Sequence, residues 1–277
     1  MRQVTSRDNA QFRRWLRLRN ASRERREAGL SILDGAHLVA SYLQHIGAPQ
    51  ELVVSRSHLN DAEIAQLVAV PVMPQATVLS DALFRELSSV ATPTGILALV
   101  RTPRHLEIPA RPGPCVMLED VQDPGNMGSI LRSAAAAGIA EIYLSSGCVH
   151  AWSPRVLRAG MGAHFMLQIC ERVDLGRLID SYTGQVVATV RDAALPFYAA
   201  DLRDTVALVF GNEGAGLSPA VRAAADVQIS IPMPGKAESL NVAAAAAICL
   251  FERVRQRAES TSAGVQSPAP RTLGREF

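Results

Sequence analysis

Lysine is almost missing from this chain of 277 residues: Lys236 is the only one, and the other basic positions are all arginine, a bias that genome composition explains as readily as chemistry. No apolar run approaches the roughly 20 residues that a membrane-spanning helix needs. The first stretch, Met1 to Arg26, is polar and arginine-rich, without the apolar core of a signal peptide, so the expected location is the cytoplasm. Four cysteines, Cys115, Cys148, Cys170 and Cys249, form no C-x-x-C pair. That spacing indicates neither a zinc site nor a disulfide framework and leaves buried, reduced thiols as the expectation.

What is present is a globular composition, 48% hydrophobic and 19% charged, enough for one large core or, better, two ordinary ones. The net charge of +2 says little about partners, but its distribution is uneven. Residues 2 to 26 carry nine arginines, among them Arg7, Arg13, Arg14 and Arg17, against only Asp8 and Glu24. From charge alone, a solvated helix face and a phosphate-binding surface are equally good explanations.

Phe12, Trp15 and Leu16 recur at helical spacing, which predicts one arginine-rich helix from Asn9 to about Arg26, stopped by Gly29. Strands are expected at 30–34, 51–55 and 95–100, and helices at 36–45, 61–68 and 81–87, making residues 1–101 a compact α/β domain. Pro103, Pro109, Pro112, Gly113 and Pro114 mark 102–114 as a linker. Beyond it, strands are expected at 115–118, 141–144, 165–169, 185–190, 206–210 and 227–231. A helix is expected at 128–137 and a last one at 240–257. Strands separated by helices imply an α/β domain over 115–258 with a mainly parallel sheet covered on both faces. The tail 259–277, rich in Ser, Pro, Gly and Thr, is expected to be disordered.

Three segments follow expected strands and are dense in Gly, Asn, Pro and charge, the places where such sheets put ligands. The first, from Leu118, contains Asp123-Pro124-Gly125 as a turn, then Asn126 and Gly128 opening a helix that carries Arg132. A helix cap with an exposed arginine would explain it too. The second contains Gly211, Glu213, Gly214 and Gly216. Its G-x-x-G-x-G spacing is not the G-x-G-x-x-G dinucleotide fingerprint, though glycines there still let backbone approach a ligand. The third runs from Ile229 through Gly235-Lys236 to Ser239-Leu240-Asn241. A phosphate loop fails there, because the glycine it requires is Ser230. The plain alternative is a loop ending in a helix capped by Ser239 or Asn241.

In this order, Asn126-x-Gly128-x-x-x-Arg132, Gly211-Asn212-Glu213-Gly214-x-Gly216, and Pro232-Met233 leading to Ser239-Leu240-Asn241-Val242 resemble the three motifs of the SpoU, or TrmH-like, ribose methyltransferases of the SPOUT superfamily. The stretch from Ser153-Pro154 to Met161-Gly162-Ala163 is similar to a family segment as well, so the resemblance covers roughly 114–257. It departs at Ala243, where many members have serine. Thr5-Ser6-Arg7-x-Asn9, Arg25-Arg26-Glu27 and Leu33-Asp34-Gly35 resemble, more weakly, the ribosomal-protein-like substrate-binding domain of SpoU-type ribosomal RNA methyltransferases.

The resemblance implies a deep trefoil knot around the second and third motifs, against the usual rule for chains. It implies a homodimer that completes each active site, and S-adenosylmethionine held by Gly211, Ile231 and Leu240. It implies methylation of a ribose 2′-hydroxyl in RNA, with Asn126, Arg132, Glu213, Ser239 and Asn241 catalytic and Arg7, Arg13, Arg14 and Arg17 on RNA. No metal is implied. With 5% aromatic residues, RNA would be gripped through arginine and phosphate more than by stacking. The well-formed N-terminal domain favours large-subunit ribosomal RNA. The alternatives are transfer RNA, a non-catalytic RNA-binding or ribosome-assembly factor, and a nucleotide-binding metabolic enzyme, the last weakened by the two failed phosphate motifs.

Overall fold

The computed structural model describes residues 1–103 and 108–264, with side chains described to 260. The first half contains β1 (Arg2–Val4), α1 (Ala10–Asn20), α2 (Ser22–Ala28), β2 (Leu30–Asp34), α3 (Ala36–His45), β3 (Glu51–Ser55), α4 (Ala62–Val68), β4 (Thr77–Leu79), α5 (Asp81–Leu87) and β5 (Ile96–Arg101). They build a five-stranded sheet in the order β1-β4-β3-β5-β2, in which β5 runs antiparallel to both its neighbours.

The arginine-rich helix expected from Asn9 to Arg26 is two helices. The Asn9 side chain caps α1, accepting from the amides of Gln11 and Phe12, and the chain turns extended at Ala21 before α2 begins. Arg25 explains the break. Its guanidinium is buried, and Nη1 donates to the carbonyls of Leu18 at 2.6 Å and Arg19 at 3.0 Å. Those carbonyls are near the end of α1, where helical partners run out. Arg25 is therefore a structural arginine, not part of an outer face.

The second half contains β6 (Cys115–Leu118), α6 (Pro124–Ala136), β7 (Glu141–Leu144), α7 (Pro154–Gly160), β8 (Gln168–Glu171), α8 (Leu175–Ser181), β9 (Gln185–Thr189), β10 (Leu195–Pro196), β11 (Val206–Phe210), α9 (Pro219–Ala224), β12 (Val227–Ser230) and α10 (Val242–Gly264). Its seven strands are all parallel, in the order β10-β12-β9-β11-β6-β7-β8. All residues of β6 and β11 are buried, as expected of parallel strands covered on both faces. The order reverses direction where β6 meets β11, and the loops leaving Leu118 and Phe210 start from paired residues. Ligand sites open at such a reversal.

Several boundaries differ from expectation. Helix α6 starts four residues earlier, at Pro124: Asp123 is its cap, accepting from the Asn126 amide at 2.8 Å, and proline suits a first helical position. The strand expected at 165–169 is β8, shifted to Gln168–Glu171, because Ala163–Met166 winds into a short 3-10 turn. Helix α10 runs on to Gly264, so the first residues of the expected disordered tail are helical; the rest of that tail lies outside the described residues, as do 104–107 of the expected linker. Among the cysteines, Cys148 is only half-buried; the other three are buried, and all four are free. No helix among the described residues is long and apolar enough to cross a membrane.

The two sheets are joined by apolar packing. One cluster of buried residues includes Leu38, Val39 and Tyr42 of α3 together with Trp152, Val156 and Phe165. The rings of Tyr42 and Phe165 meet edge-on with centroids 5.3 Å apart. His37 Nε2 lies 3.3 Å from the Met161 carbonyl. This places the N-terminal sheet directly beside α7, the neighbour of α6.

Candidate active site

Four loops leave the carboxyl edge of the sheet, after β6, β9, β11 and β12, because these parallel strands are hydrogen-bonded side by side. The loop after β11 is closed by mutual backbone hydrogen bonds between Asn212 and Gly216. Gly211 sits against this closure: a Cβ there would lie 2.3 Å from the carbonyl carbon of Gly216, a clash with backbone that only glycine avoids. Asn212 holds the loop's shape, its Oδ1 accepting from the amides of Gly214 and Ala215 while Nδ2 donates to the Asp120 carbonyl.

Side chains then tie three of the loops together. Glu213 Oε1 accepts from Asn126 Nδ2 at 3.0 Å and from the Asp123 amide at 3.1 Å, and Oε2 accepts from the Gln122 amide at 3.3 Å. Asn126 Oδ1 accepts from Asn241 Nδ2 at 2.8 Å. Asn241 Oδ1 accepts in turn from the Ala243 and Ala244 amides and caps α10; of the two residues expected as cap, it is Asn241. Burial pushes the Glu213 carboxyl up, but the Asn126 side chain and the backbone amides outweigh that and hold it below its ordinary value. Glu213 is thus an anionic clasp.

Arg132 lies one turn beyond Gly128 on α6, exposed and with no partner among the described residues. Its helix is fixed against α7 at Gly128, where a Cβ would stand 2.4 Å from the Ala159 Cβ and 2.7 Å from the Gly160 nitrogen.

Between the loops is a cavity of about 360 Å³, in the range of small-molecule sites. Gly211, Ile231 and Leu240 all line it, as do Glu213 and Ser239. Asn126 and Asn241 are not in its wall; they hold Glu213 and α10 from behind. Phe210, Leu217, Ile231, Leu240 and Val242 make much of the wall apolar. Leu240 is 40% exposed, an apolar surface that a purine ring would cover. The glycine-rich loop exposes backbone to hydrogen-bond the ring edge, so these residues fit an adenosyl group.

The expected RNA-contacting arginines lie away from this cavity, on the N-terminal half. Arg7 is paired with Glu86, Arg13 with Asp8 and Arg14 with Glu51, whereas Arg17 is exposed with no partner among the described residues. Sequence reasoning read Asp123 only as part of a turn, gave Asn212 no role of its own within its motif, and gave none to Glu119, whose carboxylate accepts from the Ser218 amide and hydroxyl at 2.7 Å. It also missed the loop after β9, where Arg191 and Asp192 line the cavity. A polar pair directly after an expected strand was the available signal. Among the described residues, no group of three or more His, Cys, Asp or Glu could hold a metal ion.

A parallel sheet with a closed glycine loop, a clasp across three loops and an adenosyl-sized cavity at its edge defines an S-adenosylmethionine-dependent methyltransferase. The chain belongs to the SpoU rRNA methylase family, whose model matches residues 113–251, and residues 9–98 match the MRM3-like substrate binding domain. It is 30% identical over 254 residues to the 23S rRNA (guanosine(2553)-2′-O)-methyltransferase RlmP of Bacillus subtilis, covering 91% of this chain and 98% of that one. A solved RNA 2′-O ribose methyltransferase superposes with a TM-score of 0.80 at 33% identity, over 92% of this chain and 99% of its own. The SpoU methyltransferase AviRb of Streptomyces viridochromogenes, crystallised with AdoMet, gives 0.82 at 27% identity, over 90% and 98%.

Proposed function

We propose that this chain methylates a ribose 2′-hydroxyl of large-subunit ribosomal RNA in the cytoplasm. The observation that carries the reading is the continuous link Glu213–Asn126–Asn241, which fixes the helix bearing Arg132 to the loops that wall the adenosyl cavity. Support for the substrate comes from the end-to-end match to a 23S rRNA 2′-O-methyltransferase and from the N-terminal domain match.

S-adenosylmethionine supplies a methyl group already activated on a sulfonium. The protein's work is alignment and charge. Gly211, Ile231 and Leu240 hold the adenosyl end. Glu213, Asn126, Asn241 and Ser239 keep the loops and the ribose in register. A guanidinium donates hydrogen bonds and accepts none, so Arg132 stabilises the developing alkoxide or positions an RNA phosphate that takes the proton. The chain around 211–217 and 231–241 forms the family's trefoil knot.

RNA spans from this site to the N-terminal half, which the Tyr42–Phe165 contact holds in fixed register. Arg17 meets phosphate directly; Arg7 and Arg13 do so by exchanging carboxylate partners, a small cost for surface pairs of about 0–1 kcal/mol, whereas Arg14 must leave the part-buried Glu51 that it shares with Gln11 and Trp15. A second copy of the chain covers Phe251 and Val254, which are 49% and 38% exposed one turn apart on α10, on the flank of the face that buries Ala246, Cys249 and Leu250.

The test is transfer of labelled methyl to ribosomal and transfer RNA from cells lacking the protein, with the labelled nucleoside identified after digestion. A 2′-O-methyl nucleoside in ribosomal RNA is expected. The same product in transfer RNA would replace the substrate, and no transfer to either, with cofactor bound, would favour a binding role.

A further inference from the structure

The cavity wall contains five ionisable side chains: Arg191, Asp192, Glu213, Arg222 and Glu238. Three are engaged. Arg222 Nη2 donates to Asp192 Oδ1 at 2.9 Å, and Glu213 is occupied by the loop after β6. Arg191 and Glu238 are both exposed and have no ion-pair or hydrogen-bond partner among the described residues. One free cation and one free anion therefore remain in a wall whose other charged side chains are already paired and whose remaining surface is apolar side chains, glycine backbone and the polar Thr189, Asn212 and Ser239.

Topology puts Arg191 between the loops after β11 and β12. Strand β9 is bonded to β11 on one side and β12 on the other, with Ala188 paired to Val209 and Thr189 to Ile229. The Val190 amide donates to the Ile229 carbonyl at 2.9 Å. The loop beginning there rises between the two loops that hold the adenosyl end, and it brings Arg191 into the same wall as Glu238 of the loop after β12.

We infer that Arg191 and Glu238 clamp the zwitterionic amino-acid end of the cofactor, Arg191 taking the carboxylate and Glu238 the ammonium. The other charged groups of the wall are already engaged, so these two are the ones free to pair with the ligand's charges, and charge-assisted pairs are the strong ones. An RNA phosphate fits the arrangement worse, because Glu238 would repel it. The inference rests on the adenosylmethionine reading of the cavity and adds to it the residues that read the amino-acid tail.

Calorimetric binding of two probes to the full chain tests it: S-adenosylhomocysteine, and 5′-methylthioadenosine, which lacks the amino-acid tail. Wild type is expected to bind the first more tightly. Arg191→Ala and Glu238→Gln are each expected to lose about tenfold or more for S-adenosylhomocysteine and to keep methylthioadenosine within about twofold, with Arg191→Lys recovering part of the loss. Retained methylthioadenosine binding also shows that the variants are folded. Equal loss for both probes would overturn the clamp. So would unchanged S-adenosylhomocysteine affinity with a raised KM for RNA, which would assign Arg191 to the substrate. Wild type that binds neither probe would overturn the cofactor reading itself, and the clamp with it.

Discussion

Asn126 donates its side-chain amide to Glu213 across 87 positions of the chain, at 3.0 Å. A carboxylate only accepts, so the Asn126 nitrogen must face Glu213, and its oxygen is left to accept from Asn241. The Asn241 oxygen is consumed by the first amides of α10. Orientation therefore passes in one direction, from the charge on Glu213 to the start of the last helix, and any member that loses its role leaves the next one ambiguous.

Protonating or neutralising Glu213 should loosen this clasp. A carboxyl held below its unfolded value stabilises the fold above that value, about 4.3 for glutamate, and the contribution vanishes as pH falls through the lower folded value. Glu213→Gln should thus lower Tm near pH 7, and the gap to wild type should close as the pH is taken down below the ordinary carboxylate range. Melting curves across that range check it; a gap independent of pH would mean that the charge is irrelevant.

Arg132→Ala should slow transfer severely while leaving cofactor binding within about twofold, because Arg132 does not line the cavity. The loss in kcat should be on the order of 10²–10³, the scale of deleting one donor to developing charge. Single-turnover rates beside calorimetric S-adenosylhomocysteine binding give both numbers, and a large loss of cofactor affinity would place the residue in a different role.

The buried sheet was legible. Strands at 115–118, 141–144 and 206–210 carry the expected bounds, since an apolar run between turn signals leaves little freedom. Strands β1, β4 and β10 have only two or three residues, too few to show a period. The early start of α6 was hidden because Asp123-Pro124-Gly125 reads equally as a turn and as a cap followed by a first-turn proline. At the site, glycine density exposed three loops, and the fourth, at Arg191, has none. The burial of Arg25 and the Tyr42–Phe165 contact depend on partners distant in sequence, which no local pattern reports.

Gly128→Ala tests how closely α6 must approach α7. The added methyl meets the Ala159 Cβ and the Gly160 backbone, neither of which can rotate away. Overpacking of this kind costs about 1–3 kcal/mol. Denaturant midpoints should fall accordingly, and kcat should fall with them, as Asn126 and Arg132 ride on the displaced helix. Full activity in a destabilised variant would show that α6 tolerates the shift.

RNA binding should weaken with salt, and Arg17 should account for part of the slope. Arg17→Ala is expected to reduce the slope of log K against log salt by about one, while Arg7→Ala, which first frees Glu86, changes it less. Filter binding of ribosomal RNA fragments at several salt concentrations measures both. Identical slopes for wild type and Arg17→Ala would move the RNA surface elsewhere.

Acid should destabilise the fold through His164. The side chain is 1% exposed; Nε2 lies 2.9 Å from the Ala151 carbonyl, and the ring is 5.3 Å from that of Trp152. A carbonyl only accepts, so Nε2 carries the proton, and Nδ1 is buried without a partner. A second proton would have to sit on Nδ1, which packs against Gly160 with no acceptor to receive it. Burial, partly offset by the Ala151 carbonyl, pushes the pKa down to about 4. An unfolded histidine titrates near 6.5, so the unfolded chain binds more protons between the two values. The stabilisation is full above about 6.5, declines as pH falls and is gone once the folded value is passed, on the order of 3 kcal/mol in all. His164→Gln, which keeps a donor for Ala151 and cannot titrate, should be less stable at pH 7.5 and should lose stability more gently toward pH 4. Urea midpoints across this range decide it: parallel curves for wild type and variant would mean that His164 is not the group that acid finds.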